Sequence, residues 1–102
     1  MEHEILRFIP YGQRNAISMK ELAILTGWKL REVRAAIFQA RCDGELICSS
    51  CDKFASGYFQ PKTVAEVRAY KKMQESRIRS AAKAVRSARQ FLRQKEGGSN
   101  DP

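Results

Sequence analysis

The stretch that most restricts how this chain can fold is residues 18–44, SMKELAILTGWKLREVRAAIFQARCDG. It predicts two short helices joined by a tight turn. Ser18 and Glu21 stand in S-x-x-E spacing, a capping box in which each side chain satisfies a free backbone N–H at a helix start. Gly27 ends that helix, because glycine takes the left-handed conformation a helix terminus needs. Leu22, Ala23, Ile24 and Leu25 are expected on its buried side. Trp28 is expected to anchor the turn in the core rather than to offer a ring for base stacking. The second helix is expected over residues 30–43, closed by Gly44. Leu30, Val33, Ile37 and Ala40, with Ala36 beside them, form one apolar stripe at helical period. Arg31, Glu32, Ala35 and Gln39 occupy the opposite side, with Arg34, Phe38 and Arg41 toward the margins.

The flanking chain extends this pair. Residues 2–9 predict a first helix with Ile5, Leu6, Phe8 and Ile9 as its apolar members, stopped by Pro10 and Gly12. Residues 15–17 predict a short edge strand. Residues 46–49 and 58–60, separated by a polar, turn-rich segment, predict a β-hairpin that Pro61 ends. Thr63 and Glu66 repeat the capping box and open a helix that runs to Lys95 without proline or glycine, its Val64, Val67 and Tyr70 packing on the preceding domain. Residues 96–102 predict a disordered tail. The fold class is therefore mainly α with a small β-hairpin (α+β). It divides into a domain over residues 1–62, a long basic C-terminal helix over 63–95, and the tail.

Charge narrows the partner. Residues 1–60 hold eight lysines and arginines against seven acids, whereas residues 61–95 hold eleven against two. So asymmetric a block points to a polyanion, DNA or RNA before a membrane, with a merely solubilising helix surface as the bland alternative. The acidic N-terminus carries no expected signal peptide, and no apolar run approaches the roughly 20 residues of a membrane span. Three cysteines suit a reducing cytoplasm better than a disulfide framework.

The order helix, short strand, helix, helix, strand, strand, long helix is that of the winged helix-turn-helix. The residues NAISMKELAILTGWKLREVRAAIFQARCDGELICS and GYFQPKTVAEV resemble small winged-helix proteins of bacteriophages and prophages, mainly of Gram-positive hosts. The resemblance covers residues 5–70. It implies that the second helix of the pair enters the major groove while the hairpin, or wing, touches the backbone or minor groove alongside. It is specific for the fold more than for a role, since the same fold serves repressors, excision factors, replication initiators and docking modules.

On that resemblance the base-reading residues are Arg31, Glu32, Ala35 and Gln39. Arginine can bridge O6 and N7 of guanine, glutamine can pair with adenine, alanine admits a thymine methyl, and glutamate can accept from cytosine. Glu32 can equally serve as an intrahelical partner. Lys20, Lys29, Arg34 and Lys53 are the expected phosphate contacts, which position a protein without reading sequence. Lys53 is the one cation on the wing, a thin contact, and Phe54 near it is expected to pack back on the sheet.

In the long helix Ile78, Ala81, Val85, Ala88 and Leu92 repeat at 3-4-3-4 spacing, an a/d seam that predicts a homodimer. Arg77, Arg79, Lys83, Arg86, Arg89 and Arg93 are possible nucleic-acid contacts on the same helix. Cys48 and Cys51 form C-x-x-C, with Cys42 near in sequence and His3 far away. Without a second pair this is a weak zinc signal, and no metal or cofactor is expected. His3 is expected at the surface. No catalytic constellation is visible, so no enzyme is expected. The expectation is a sequence-specific double-stranded DNA-binding protein of a bacterial host cytoplasm, a phage or prophage regulator or replication-initiation factor. The alternative is a winged-helix interaction module that recruits a replication or assembly partner through its C-terminal helix; a replication or transcription protein is a possible partner, and no membrane is expected.

Overall fold

The computed structural model describes residues 3–51 and 55–96. The element order is a 3₁₀ turn over Glu4–Phe8, a second over Gln13–Asn15, α1 over Met19–Thr26, α2 over Leu30–Cys42, β1 over Cys48–Ser50, β2 over Gly57–Phe59 and α3 over Val64–Glu96. The architecture is thus mainly helical, with one two-stranded antiparallel hairpin and a long C-terminal helix. Two compact units divide the chain, Met1–Tyr70 and Lys71–Pro102, so the first turns of α3 fall in the first unit.

Both predicted caps form. Ser18 Oγ accepts from Glu21 N and Glu21 Oε1 accepts from Ser18 N, each at 3.1 Å. Gly27 closes α1 at φ +76°, donating its N–H to Ala23 O at 2.9 Å. At the start of α3, Thr63 Oγ1 accepts from Glu66 N while Glu66 Oε1 accepts from Thr63 N, both at 3.2 Å.

The core of the first unit gathers Ile5, Ile9, Leu22, Val33, Ile37, Ala40 and Ile47, with Trp28 packed against it as expected. Several residues depart from the expected pattern. Ile24 and Leu25 are 79% and 57% exposed, not buried. At about 100° per residue, Met19, Leu22 and Ala23 share the core side of α1, which leaves residues 24 and 25 on the far side. Leu30 is half-exposed because the apolar stripe of α2 meets the core only from Val33 onward. The N-terminal helix tightens into a five-residue 3₁₀ turn; a segment this short, stopped by Pro10, cannot sustain α-helical pairing. The expected edge strand is a single bridge, in which Ile17 and Tyr58 exchange hydrogen bonds of 2.9 and 2.7 Å, preceded by the second 3₁₀ turn.

The hairpin pairs Cys48 with Phe59, Ser49 with Tyr58 and Ser50 with Gly57. Polar side chains fix it to the rest of the first unit. Gln60 Nε2 donates to Leu6 O and Ile9 O at 3.1 and 2.9 Å. Arg41 Nε donates to Ile47 O at 2.9 Å, and its guanidinium lies over the rings of Tyr58 and Tyr70 at 5.7 and 5.5 Å. Arg41 is therefore a structural clasp between α2, the hairpin and the start of α3. Of the residues expected to pack from α3, Val67 and Tyr70 are partly buried, while Val64 is 66% exposed. Glu66 adds a longer tie, its Oε2 accepting from Gln13 N at 2.9 Å. The backbone N–H groups of Gln13 and Lys62, with that of Thr63, hold its carboxyl below the usual glutamate range.

Candidate nucleic-acid interface

The side of α2 away from the core is an open surface. Val33, Ile37 and Ala40 point inward and are 0–3% exposed. Projected at 3.6 residues per turn, Arg31, Ala35, Phe38 and Cys42 lie opposite them. Arg34 flanks this row on one side, with Gln39 and Glu32 on the other, and all seven are exposed. Arg31 and Arg34 have no acidic partner among the described residues.

The predicted base-reading residues do share one face, but not with equal freedom. Glu32 Oε1 accepts from Lys29 N at 2.8 Å, the capping bond of α2. One oxygen of its carboxylate is thus engaged at the helix start. Gln39 Nε2 donates to Asp43 Oδ1 at 3.3 Å, a long bond on an exposed surface that a stronger acceptor can displace. Ala35 has no polar atom to engage. Phe38 has 67% of its surface exposed and joins Arg31 and Ala35 on the outward side. The signal was present in the sequence: Phe38 follows Ala35 by three and Arg31 by seven, which is one side of a helix.

Lys20 on α1, Lys29 in the turn and Arg34 are all exposed, as a phosphate-contacting set requires. Lys53 and Phe54 lie outside the described residues, as does the tail from residue 97.

In the second unit the helix sorts its side chains by sector. Ile78, Ala81, Val85, Ala88 and Leu92 share one side and are exposed, the three large ones at 66%, 47% and 49%. Arg79, Lys83, Arg86 and Arg93 form a neighbouring stripe, and Arg86, Arg89, Gln90 and Arg93 line a shallow cleft. Arg89 borders the apolar seam. Arg77 falls on the seam's other flank, where it donates to Gln74 Oε1 at 3.3 Å, so the six predicted cations do not make one row.

The cysteines do not converge. Cys48 is buried, and desolvation pushes its thiol up despite the opposing charge of Arg41, while Cys42 and Cys51 are exposed. Among the described residues no three His, Cys, Asp or Glu side chains come together as metal ligands. His3, expected at the surface, has only 10% of its side chain exposed, and its Nε2 lies 2.8 Å from Asp43 Oδ2. Among the described residues no helix is long and apolar enough to cross a membrane. The chain matches no protein-family model, no curated protein and no solved structure.

Proposed function

We propose that this chain is a winged helix-turn-helix protein that binds double-stranded DNA sequence-specifically, of the small phage- or prophage-encoded type. It acts in a bacterial host cytoplasm as a transcription regulator or replication-initiation factor. In this reading α1 and α2 are the helix-turn-helix pair and the β1–β2 hairpin is the wing. α2 enters the major groove with Arg31 on guanine and Gln39 on adenine. Lys20, Lys29 and Arg34 meet phosphates, and the stripe of Arg79, Lys83, Arg86 and Arg93 adds backbone contacts. Two copies joined through Ile78, Ala81, Val85, Ala88 and Leu92 read two half-sites.

The observation that supports this most is the outward side of α2, where Arg31 and Arg34 are exposed and have no acidic partner among the described residues, while Glu32 accepts from Lys29 N at the helix start. Mobility shifts on a duplex selected from a random pool test it. Arg31→Ala and Gln39→Ala should each weaken binding to that site by about 1–3 kcal/mol and leave random duplex nearly unchanged. Lys20, Lys29 and Arg34 alone give a fall of log K with log salt of about −5 for the dimer, and the long-helix stripe makes it steeper. A wild type that shifts no duplex at low salt removes the proposal.

A second reading, distinct from recruitment through the C-terminal helix, is a protein-interaction module that uses Ile24 and Leu25, which leave apolar surface open on α1 at 79% and 57% exposure. Under it Ile24→Ser and Leu25→Ser abolish partner capture, and Arg31→Ala has no effect on any duplex.

A further inference from the structure

We propose that Phe38 is the residue through which α2 recognises thymine, its ring packing on C5-methyl groups in the major groove. This deepens the DNA-binding proposal and rests on it. Phe38 is 67% exposed and does not belong to the side chains packed on the core. It stands on the outward side of α2, in the row with Arg31, Ala35 and Cys42, away from Val33, Ile37 and Ala40. An aromatic ring held in water costs free energy that burial recovers, so the position calls for an apolar partner.

The charges around the ring say which kind of partner. Arg31 and Arg34 flank it without acidic partners among the described residues. Glu32 is bound to Lys29 N, and Asp43 faces His3 and accepts from Gln39. A ring that shares its side of α2 with two arginines lacking acidic partners among the described residues suits a surface that is anionic overall but apolar at one point. The major groove offers that combination at thymine, whose C5-methyl is the apolar group it presents there. The same ring penalises other bases, because it covers their donors and acceptors without replacing the lost hydrogen bonds.

Spacing adds a geometric expectation. Phe38 follows Arg31 by seven residues, about 10.5 Å along the axis at 1.5 Å per residue. That distance spans roughly three base-pair rises of 3.4 Å. The thymine read by Phe38 and the guanine read by Arg31 therefore fall within about three base pairs of each other.

The test replaces thymine by deoxyuridine, which pairs identically and lacks only the methyl. A duplex is selected from a random pool with the full chain, each thymine is replaced in turn, and affinity is followed by fluorescence anisotropy at fixed salt. Wild type should weaken about fourfold per contacted methyl removed, at one or two positions within about three base pairs of the guanine that Arg31→Ala ceases to read. Phe38→Ala should bind more weakly and be indifferent to those replacements, and Phe38→Leu should keep part of the sensitivity. The deoxyuridine series on wild type does not depend on how any variant folds. A wild type indifferent to every replacement overturns the proposal, as does a Phe38→Ala variant that keeps the full methyl sensitivity. Phe38→Ala that leaves DNA affinity unchanged while lowering self-association in sedimentation also overturns it, assigning the ring to a protein contact. Absence of duplex binding by wild type is a distinct failure, that of the DNA-binding proposal itself.

Discussion

Gly57→Ala should open the contact that ties the hairpin to the start of α1. Gly57 sits at φ +130°, a backbone conformation that side-chain-bearing residues rarely adopt. A Cβ there would lie 2.4 Å from Ile17 O, 2.6 Å from Ile17 C and 3.0 Å from Ser18 N. These are backbone atoms, so no rotamer change relieves the clash. The Ile17 peptide must move, yet it is held by its two hydrogen bonds with Tyr58, at 2.9 and 2.7 Å. Strained backbone costs of order 1–3 kcal/mol, and loss of the bridge adds about 1 kcal/mol per bond. The expected destabilisation is about 3–5 kcal/mol, a fall in Tm of at least about 12 °C for a domain of this size. Gly27→Ala is the control: its φ is also positive, +76°, but an added Cβ meets nothing within 4 Å. It should cost only the left-handed penalty, about 1–2 kcal/mol. Urea unfolding followed by the fluorescence of Trp28, which packs on the core, reports the first unit without interference from the long helix. Equal losses in the two variants, or a smaller loss at Gly57, would refute the steric argument.

Other perturbations probe the remaining ties. Arg41→Met keeps the stem but removes the bond to Ile47 O and both ring contacts, while relieving the buried Nη2 that has no hydrogen-bond partner. The net should be a loss of about 1–2 kcal/mol in urea unfolding. Glu66 has its carboxyl lowered chiefly by Gln13 N–H, then by Lys62 and Thr63. Its stabilising contribution is therefore present above the ordinary glutamate value and lost as pH falls through the lower folded value. Glu66→Gln should flatten the acid limb of the stability-pH curve, and an unchanged limb would show that other groups set it. Val85→Glu places a charge in the middle of the seam and should convert a dimer into a monomer in sedimentation, with the helical CD per residue reduced. Wild-type protein sedimenting as a monomer at tens of micromolar would remove the seam proposal.

What the sequence revealed of the fold follows from the range of each interaction. Ser18 with Glu21 and Thr63 with Glu66 are i, i+3 pairs whose partners are fixed by local geometry, and both could be read directly. The clasp of Arg41 on Ile47 O and the rings of Tyr58 and Tyr70, and the reach of Glu66 to Gln13 N, join residues that only the completed fold brings together. Nothing local distinguishes Arg41 from Arg34 except its angle on the helix, 20° from the first residue of α2 on the core-adjacent margin against 40° for Arg34, by about 100° per residue. Angle also decides the two misplacements. Ile24 and Leu25 were expected inside for their hydrophobicity, whereas their position on α1 turns them outward. Phe38 was expected at a margin, whereas its spacing from Ala35 and Arg31 places it on the outward side.

The charge balance of residues 1–60 argues for an interaction module only if every charge counts alike, and the structure separates them. Glu21 and Glu32 accept from the N–H groups at the starts of α1 and α2. A helix N-terminus carries a partial positive charge, so these carboxylates are compensated where they stand. Asp43 lies against His3 and accepts from Gln39 at the other end of α2. Lys20, Lys29, Arg31 and Arg34 have no such compensation among the described residues. On α1 and α2, then, Glu21, Glu32 and Asp43 are engaged at helix ends, while four cations have no acidic partner among the described residues. Under the proposed DNA-binding function, a phosphate approaching α2 would meet cations first.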